Sequence, residues 1–308
     1  MSAFEESRAY KIVAEDAAGG TLSHAYLLVC PDARNLRTFL KELAKLVIGA
    51  DARAARLIGA EMYSDCRVFP APEAKATVAD VKELLDDCYI RPVEGGRKVF
   101  VLDNMQDMLA PAQNKLLKVL EEPPANVHFL LGTTNEFPVL PTVRSRAKKL
   151  ELFSFPESAV EAHIRALYPA RKDAREIAAL SGGVLGRAEE LAEGGSLAEE
   201  GEAAAQLLAT LSPAGVPAAV RSCADRAQAG RMLALMRLCL RDALMCRLGK
   251  EELISGGAEN ARRIAARYSA AALVRAQDAA ARAEKELKFN ANLAMCLEAL
   301  FIAILEGR

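Results

Sequence analysis

The stretch Gly95–Ala147 reads GGRKVFVLDNMQDMLAPAQNKLLKVLEEPPANVHFLLGTTNEFPVLPTVRSRA, and its pattern decides the fold class. Val99 to Leu102 is an apolar run bounded by Lys98 and Asp103, the pattern of a strand buried on both faces of a parallel sheet. Asp103 stands at its carboxyl end, where open α/β folds gather their ligand chemistry. A helix is predicted from Pro111 to Glu122. Proline suits a first helical turn, Leu116, Leu117 and Leu120 share one face, and Pro123-Pro124 stops it. A second buried strand, Val127 to Leu131, carries Thr133, Thr134 and Asn135 to the same sheet edge.

The whole chain of 308 residues is long enough for two or three compact domains, and 52% hydrophobic with 26% charged residues is the composition of a soluble globular protein. Basic and acidic side chains number 40 and 41, so no general basic surface is available to grip DNA, and any nucleic-acid contact is expected to be local or made by partners. Seven scattered cysteines without a CxxC pair argue against a disulfide framework and a zinc ribbon, and fit a reducing cytoplasm. Neither a basic-then-apolar leader nor a long uncharged apolar run is present, so export and membrane insertion are not expected.

Strand-Asp, the AQNKLLKVLEEPP helix, strand-TTN and the VRSRA segment occur here in one order and spacing. The combination resembles bacterial clamp-loader subunits of DNA polymerase III, the gamma/tau/delta-prime family of the AAA+ superfamily, and within it the delta-prime branch most of all. The resemblance implies an α/β AAA+ core, a parallel sheet flanked by helices, followed by a small helical lid and an all-α C-terminal collar. The expected boundaries are 1–154, 155–198 and 199–308. In that family the assembly uses ATP on its motor subunits to open a ring-shaped sliding clamp and leave it on primed DNA.

Ahead of this core the first twenty residues have the pattern of an amphipathic helix ended by Gly19-Gly20, and His24 to Val29 resembles the family's first strand. A phosphate-binding loop needs glycines so that backbone N–H groups can close on phosphate, then Lys and Ser/Thr for the terminal phosphates and Mg²⁺. On the family pattern Cys30 stands for the first glycine, Asn35 for the last, Leu36 for the lysine and Arg37 for the first hydroxyl residue; Thr38 alone survives, at the second hydroxyl place. The expectation is that no ATP binds. Leu36 to Ile48 then continues as a helix, and Gly49 to Phe69, where the family inserts a four-cysteine zinc module, holds only Cys66, so no zinc is expected. Arg67 to Phe69 reads as a short strand, and Thr77 as the N-cap of the next helix.

Asn104 replaces the glutamate that polarises the attacking water in active relatives, and an amide is no general base. Without a phosphate loop Asp103 reads as a solvated or capping carboxylate. Asn135 falls at the sensor place, with loop hydrogen bonding as its expected role beside Thr134. The resemblance assigns Arg146 of VRSRA as an arginine finger acting in trans on ATP held by a neighbouring subunit, with Ala147 replacing the family's cysteine. The alternative is a surface arginine paired to a local carboxylate. From Pro156 to Gly195 three short helices are expected, with Arg187 either a second sensor or a helix-start residue packing lid on core. Gly194-Gly195-Ser196 reads as a linker. Beyond Glu202 helices are expected throughout. Met232, Leu235, Met236, Leu238, Cys239 and Leu244 form one apolar pattern, Leu273 and Val274 belong to a later one, and Asn290 to Leu300 resembles the closing collar helix.

The reading is a non-hydrolysing clamp-loader subunit partnered by gamma/tau- and delta-type subunits, reaching the sliding clamp and primed DNA through the complex. Two rivals stand beside it: an ATP-hydrolysing gamma/tau-type motor, and a non-replicative adaptor on a decayed AAA+ scaffold.

Overall fold

The computed structural model describes residues 3–72, 74–194, 197–223, 225–255, 257–288 and 291–306. Gly195 and Ser196 of the linker reading, and Asn290 of the closing segment, lie outside them. The chain forms two compact units: Met1–Pro156 with Val184–Arg187, and Glu157–Gly183 with Ala188–Arg308.

In the first unit the apolar runs become parallel strands because both faces are covered by amphipathic helices. In chain order the elements are α1 (Arg8–Ala18), β1 (Ala25–Val29), α2 (Leu36–Ile48), α3 (Ala52–Gly59), β2 (Cys66–Phe69), α4 (Val78–Cys88), β3 (Lys98–Leu102), α5 (Ala110–Glu121), β4 (Val127–Thr133), α6 (Pro141–Arg144) and β5 (Lys148–Glu151). The sheet runs β2-β3-β4-β1-β5, every neighbouring pair parallel, with Leu102 opposite Leu131 and Leu28 opposite Gly132. Helix starts follow their caps. Ser7 accepts the N–H of Tyr10 at the start of α1, and Thr77 and Asp80 form a reciprocal capping box on α4. Gly49, with φ at +71°, ends α2 in the left-handed conformation that glycine takes without strain.

Three features depart from the sequence reading. Lys98 does not bound its strand but begins it, buried, with Nζ 2.7 Å from Asp87 Oδ1. The ion pair makes that burial tolerable, and apolar patterning alone treats a lysine as a boundary. Strand β5 was not expected: its sequence Lys-Lys-Leu-Glu is that of an edge strand, with only Leu150 buried. The stretch around Cys66 carries a helix, α3, and is organised by a carboxylate. Fully buried Asp65 accepts the backbone N–H groups of Val93, Glu94 and Gly95 at 2.7 to 2.8 Å. Cys66 is buried and its thiol pushed up to about 12 by desolvation. Among the described residues no group of three or more His, Cys, Asp or Glu side chains is placed to hold a metal.

The second unit is helical among its described residues: α7 (Glu157–Leu167), α8 (Ala174–Ser181), α9 (Leu185–Glu193, which begins in the first unit), α10 (Leu197–Thr210), α11 (Val216–Arg221), α12 (Arg226–Arg247), α13 (Ala258–Arg267), α14 (Ala270–Lys288) and α15 (Leu293–Glu306). Helix α12 packs against α10, α13 and α14. Its buried set therefore goes beyond the single expected stripe: Leu233, Leu240 and Ala243 are as inaccessible as Met236. Leu273 is buried but Val274 is exposed. In α15 Cys296, Leu297, Leu300, Phe301 and Ile304 face inward, while Met295 faces out. Among the described residues no helix is long and apolar enough to cross a membrane.

One close approach sets how α2 lies on the sheet. A Cβ built on Gly132 would stand 2.5 Å from Leu40 Cδ1 and 3.2 Å from Leu36 Cδ1, and both leucines are fully buried. Gly132→Val should therefore destabilise the first unit by about 1–3 kcal/mol through overpacking, despite the better strand propensity of valine. Urea unfolding of the two proteins would measure it, and an unchanged midpoint would show that α2 can shift.

Candidate functional site

The carboxyl ends of β1, β3 and β4 lie side by side, and the loops that follow them carry the residues singled out in the sequence. Beyond β1, Cys30 stays in register, its N–H donating to Thr133 O at 2.9 Å. Its side chain is buried, and desolvation pushes the thiol up to about 12, so it acts as a small apolar residue. The loop then turns around Asp32, only 3% exposed. This carboxylate accepts the N–H of Asn35 at 3.0 Å, Nδ2 of Asn35 at 3.1 Å and the N–H of Gly186 at 2.8 Å. Leu36, at the lysine place, turns into the core beneath Gly132 and offers no charge to the loop.

Arg37 occupies the hydroxyl place with a guanidinium. Nε and Nη2 form a fork on Glu61 at 2.7 and 2.6 Å, and Nη1 donates to Pro70 O at 2.9 Å while standing 4.0 Å from Asp103 Oδ2. Glu61 takes a left-handed φ of +61°, uncommon for its type, to present both oxygens to that fork. The bond from Arg37, aided by Lys41 at 3.2 Å, holds the Glu61 carboxyl below its ordinary range. Asp103 is different. It is 5% exposed, which corrects the solvated half of the sequence reading and leaves the capping half: its Oδ1 accepts the N–H of Asn104 at 2.8 Å. Burial raises its pKa. The Asn104 N–H and Arg37 oppose that without reversing it, because the guanidinium is already committed to Glu61.

Asn104, at φ +54°, accepts from Gln106 Nε2 at 2.9 Å rather than facing a water-activating position. Gln106 Oε1 in turn accepts Thr133 Oγ1 at 2.9 Å and the N–H of Thr134 at 3.1 Å, closing the β3 and β4 loops onto each other. Asn135 Oδ1 accepts the N–H of Phe137 at 3.0 Å. Arg187, the third residue of α9 after Leu185 and Gly186, is exposed.

Arg146 lies apart from this cluster. It follows the short helix α6, its N–H donates to Val143 O at 3.1 Å, and its guanidinium pairs with Glu121 at the end of α5 and donates to Thr142 O at 2.8 Å. In the single chain it therefore adopts the local carboxylate pairing considered above. Its side chain is 30% exposed, and the pair to half-exposed Glu121 is of the screened kind worth less than about 1 kcal/mol. Sequence reasoning passed over the residue that positions this segment. Buried Gln113 of α5 donates Nε2 to Met108 O at 2.8 Å and Pro138 O at 3.1 Å, and its Oε1 accepts the N–H of Leu140 at 2.8 Å. Glutamine among the apolar positions of an amphipathic helix was its only signal. Gln106, Asp32 and Glu61 gave none.

Asp103 supplies a pH test. Its folded pKa lies above its unfolded value, so native protein binds the extra proton between the two. The stability this confers is complete below about pH 4 and is lost as pH rises through the folded pKa. Asp103→Asn should thus unfold on the order of 1–3 °C higher than the parent at pH 7, with the gap closing toward about pH 4. A lower melting temperature at pH 7 would mean that attraction to Arg37 outweighs burial.

The model of the family described as DNA polymerase III, delta subunit, matches residues 5–156. DNA polymerase III subunit gamma/tau of Mycobacterium bovis is 33% identical over 147 residues, covering 44% of this chain and 25% of that protein. Subunit tau/gamma of Haemophilus influenzae is 36% identical over 91 residues, covering 30% of this chain and 13% of that protein. The chain thus spans a quarter or less of the length of these relatives. Among solved structures, a DNA polymerase III gamma-subunit-related protein of Thermotoga maritima is 17% identical with a TM-score of 0.46, covering 97% of this chain and 99% of that one. The DNA clamp loader delta protein of Bacillus subtilis is 12% identical with a TM-score of 0.38, covering 96% and 99%. Residues 5–156, which carry all five parallel strands, thus match the DNA polymerase III delta-subunit family.

Proposed function

We propose that this chain is a delta-prime-like, non-hydrolysing subunit of a DNA polymerase III clamp loader, cytoplasmic and without bound ATP or zinc. It assembles with gamma/tau- and delta-type subunits, reaches the sliding clamp and primed DNA through them, and donates Arg146 to ATP held by a neighbour. The observation that carries this reading is the contrast between its two candidate sites. In its own loop the lysine place is a buried leucine, the general-base place is an amide bound to Gln106, and Arg37 is committed to Glu61. Arg146, by comparison, is partly exposed and held by a surface ion pair that a stronger anion displaces at small cost. A guanidinium kept at a loop edge in a chain whose own loop is incapacitated is what a trans-acting subunit requires. The domain roles follow the family: core to residue 154, lid to 198, and collar beyond, with the collar helices holding subunits together independently of nucleotide. Arg187 retains either sensor-like or packing duty in that scheme.

A second reading, an ATP-hydrolysing gamma/tau-type motor, is favoured by the names of the similar proteins. Cys30, Asn35, Leu36 and Asn104 oppose it. The non-replicative adaptor has no observation in its favour.

The test is DNA-stimulated ATP hydrolysis by a clamp loader reconstituted with this chain, with assembly followed by size. Arg146→Ala should cost the isolated chain less than about 1 kcal/mol, assemble normally, and slow hydrolysis at the dependent site by about 10³-fold or more. Because only one of several sites depends on it, the drop in total turnover is smaller. Unchanged hydrolysis in an intact complex would make Arg146 structural. Hydrolysis by the isolated chain would favour the motor reading.

A further inference from the structure

Asp32 is the one feature of the loop that the loss of glycines and lysine does not explain. A residue at an exposed turn needs no carboxylate, yet this one is withdrawn from water and receives three N–H donors, two from Asn35 and one from Gly186. An ionised carboxylate accepts without donating, as a phosphate does, and convergent N–H groups at a helix start are the usual partners of either. Gly186 adds a second observation. A Cβ there would collide with Asp32 Oδ1 and stand 2.7 Å from Arg34 Cβ, so only glycine lets this backbone N–H come so close to the anion. Close backbone approach is the same service that glycines render in phosphate loops.

We propose that Asp32 is the resident ligand of an anion site formed by Asn35 and Gly186, a carboxylate of the chain itself seated where a phosphate group would otherwise be held. The site is thus occupied from within, and its foreign ligands would be of the phosphate class. The inference rests on reading the loop as nucleotide-incompetent and gives that incompetence a specific cause. A phosphate entering the loop must first expel a buried carboxylate, and its apparent affinity falls by the fraction of time the carboxylate is away. The tethered anion also ties Val184–Arg187 to the loop within the first unit.

Removal of the carboxylate should uncover the site. Pyrophosphate, titrated calorimetrically into the full-length chain without magnesium, should bind Asp32→Ala at least about tenfold more tightly than the parent. The same pyrophosphate should restore part of the melting temperature that the substitution removes. Asp65→Ala is the control, since Asp65 is another buried carboxylate on three backbone N–H groups but belongs to the Val93–Gly95 turn. That variant should lose stability without gaining affinity. Equal affinity in parent and folded Asp32→Ala, or equal rescue of Asp65→Ala, overturns the proposal. Should Asp32→Ala not fold, Asp32→Asn gives the same comparison in a side chain of the same size, and micromolar binding by the parent alone is also sufficient to overturn it. None of these outcomes touches the trans role of Arg146, which is read from a neighbour's hydrolysis.

Discussion

Buried parallel strands must satisfy every backbone N–H and C=O within the sheet, and here that demand fixes β4 between β3 and β1. The arrangement brings three carboxyl ends to one edge, so the loops beginning at Cys30, Asp103 and Thr134 are neighbours whatever their side chains do. Gly132 lets α2 settle onto β4 at that edge, which sends Leu36 into the core and Arg37 toward Asp103. The loop after β1 therefore keeps its position whatever residues it carries, because the position belongs to the sheet.

Polar side chains fill the space that ligand chemistry takes in such folds. Gln106 joins the β3 and β4 loops, Gln113 joins α5 to the chain leading into α6, and Asp32 gathers its own loop with the start of α9. Each is a buried or half-buried group with its hydrogen bonds made inside the protein, and each would be costly if left unpaired. The same internal satisfaction holds the three loops of this edge together. Arg37 illustrates the limit of such compensation: its fork serves Glu61, so Asp103 remains a buried carboxylate whose ionisation is opposed.

Arg146 follows the opposite rule. Its backbone is held firmly through α6 and Gln113, while its guanidinium rests on a screened surface pair. The half-exposed pair to Glu121 therefore contributes little to the fold, while the backbone contacts fix where the guanidinium starts.

The amino-acid sequence by itself determined the class of fold and its order. Apolar runs predicted β3 and β4 within two residues, the family resemblance placed β1, and Thr77 marked the start of α4. Those signals are local, set by side-chain periodicity and backbone preference. Tertiary structure alone decided that Lys98 lies inside a strand, that Lys-Lys-Leu-Glu pairs as β5, and that α12 is buried over more than one stripe. It also decided how the loop after β1 is held, because Asp32 meets Gly186 across 154 positions of chain and Arg37 meets Glu61 across 24. A carboxylate near a loop reads as solvated until the distant N–H groups that desolvate and hold it are brought alongside, and only the folded chain brings them.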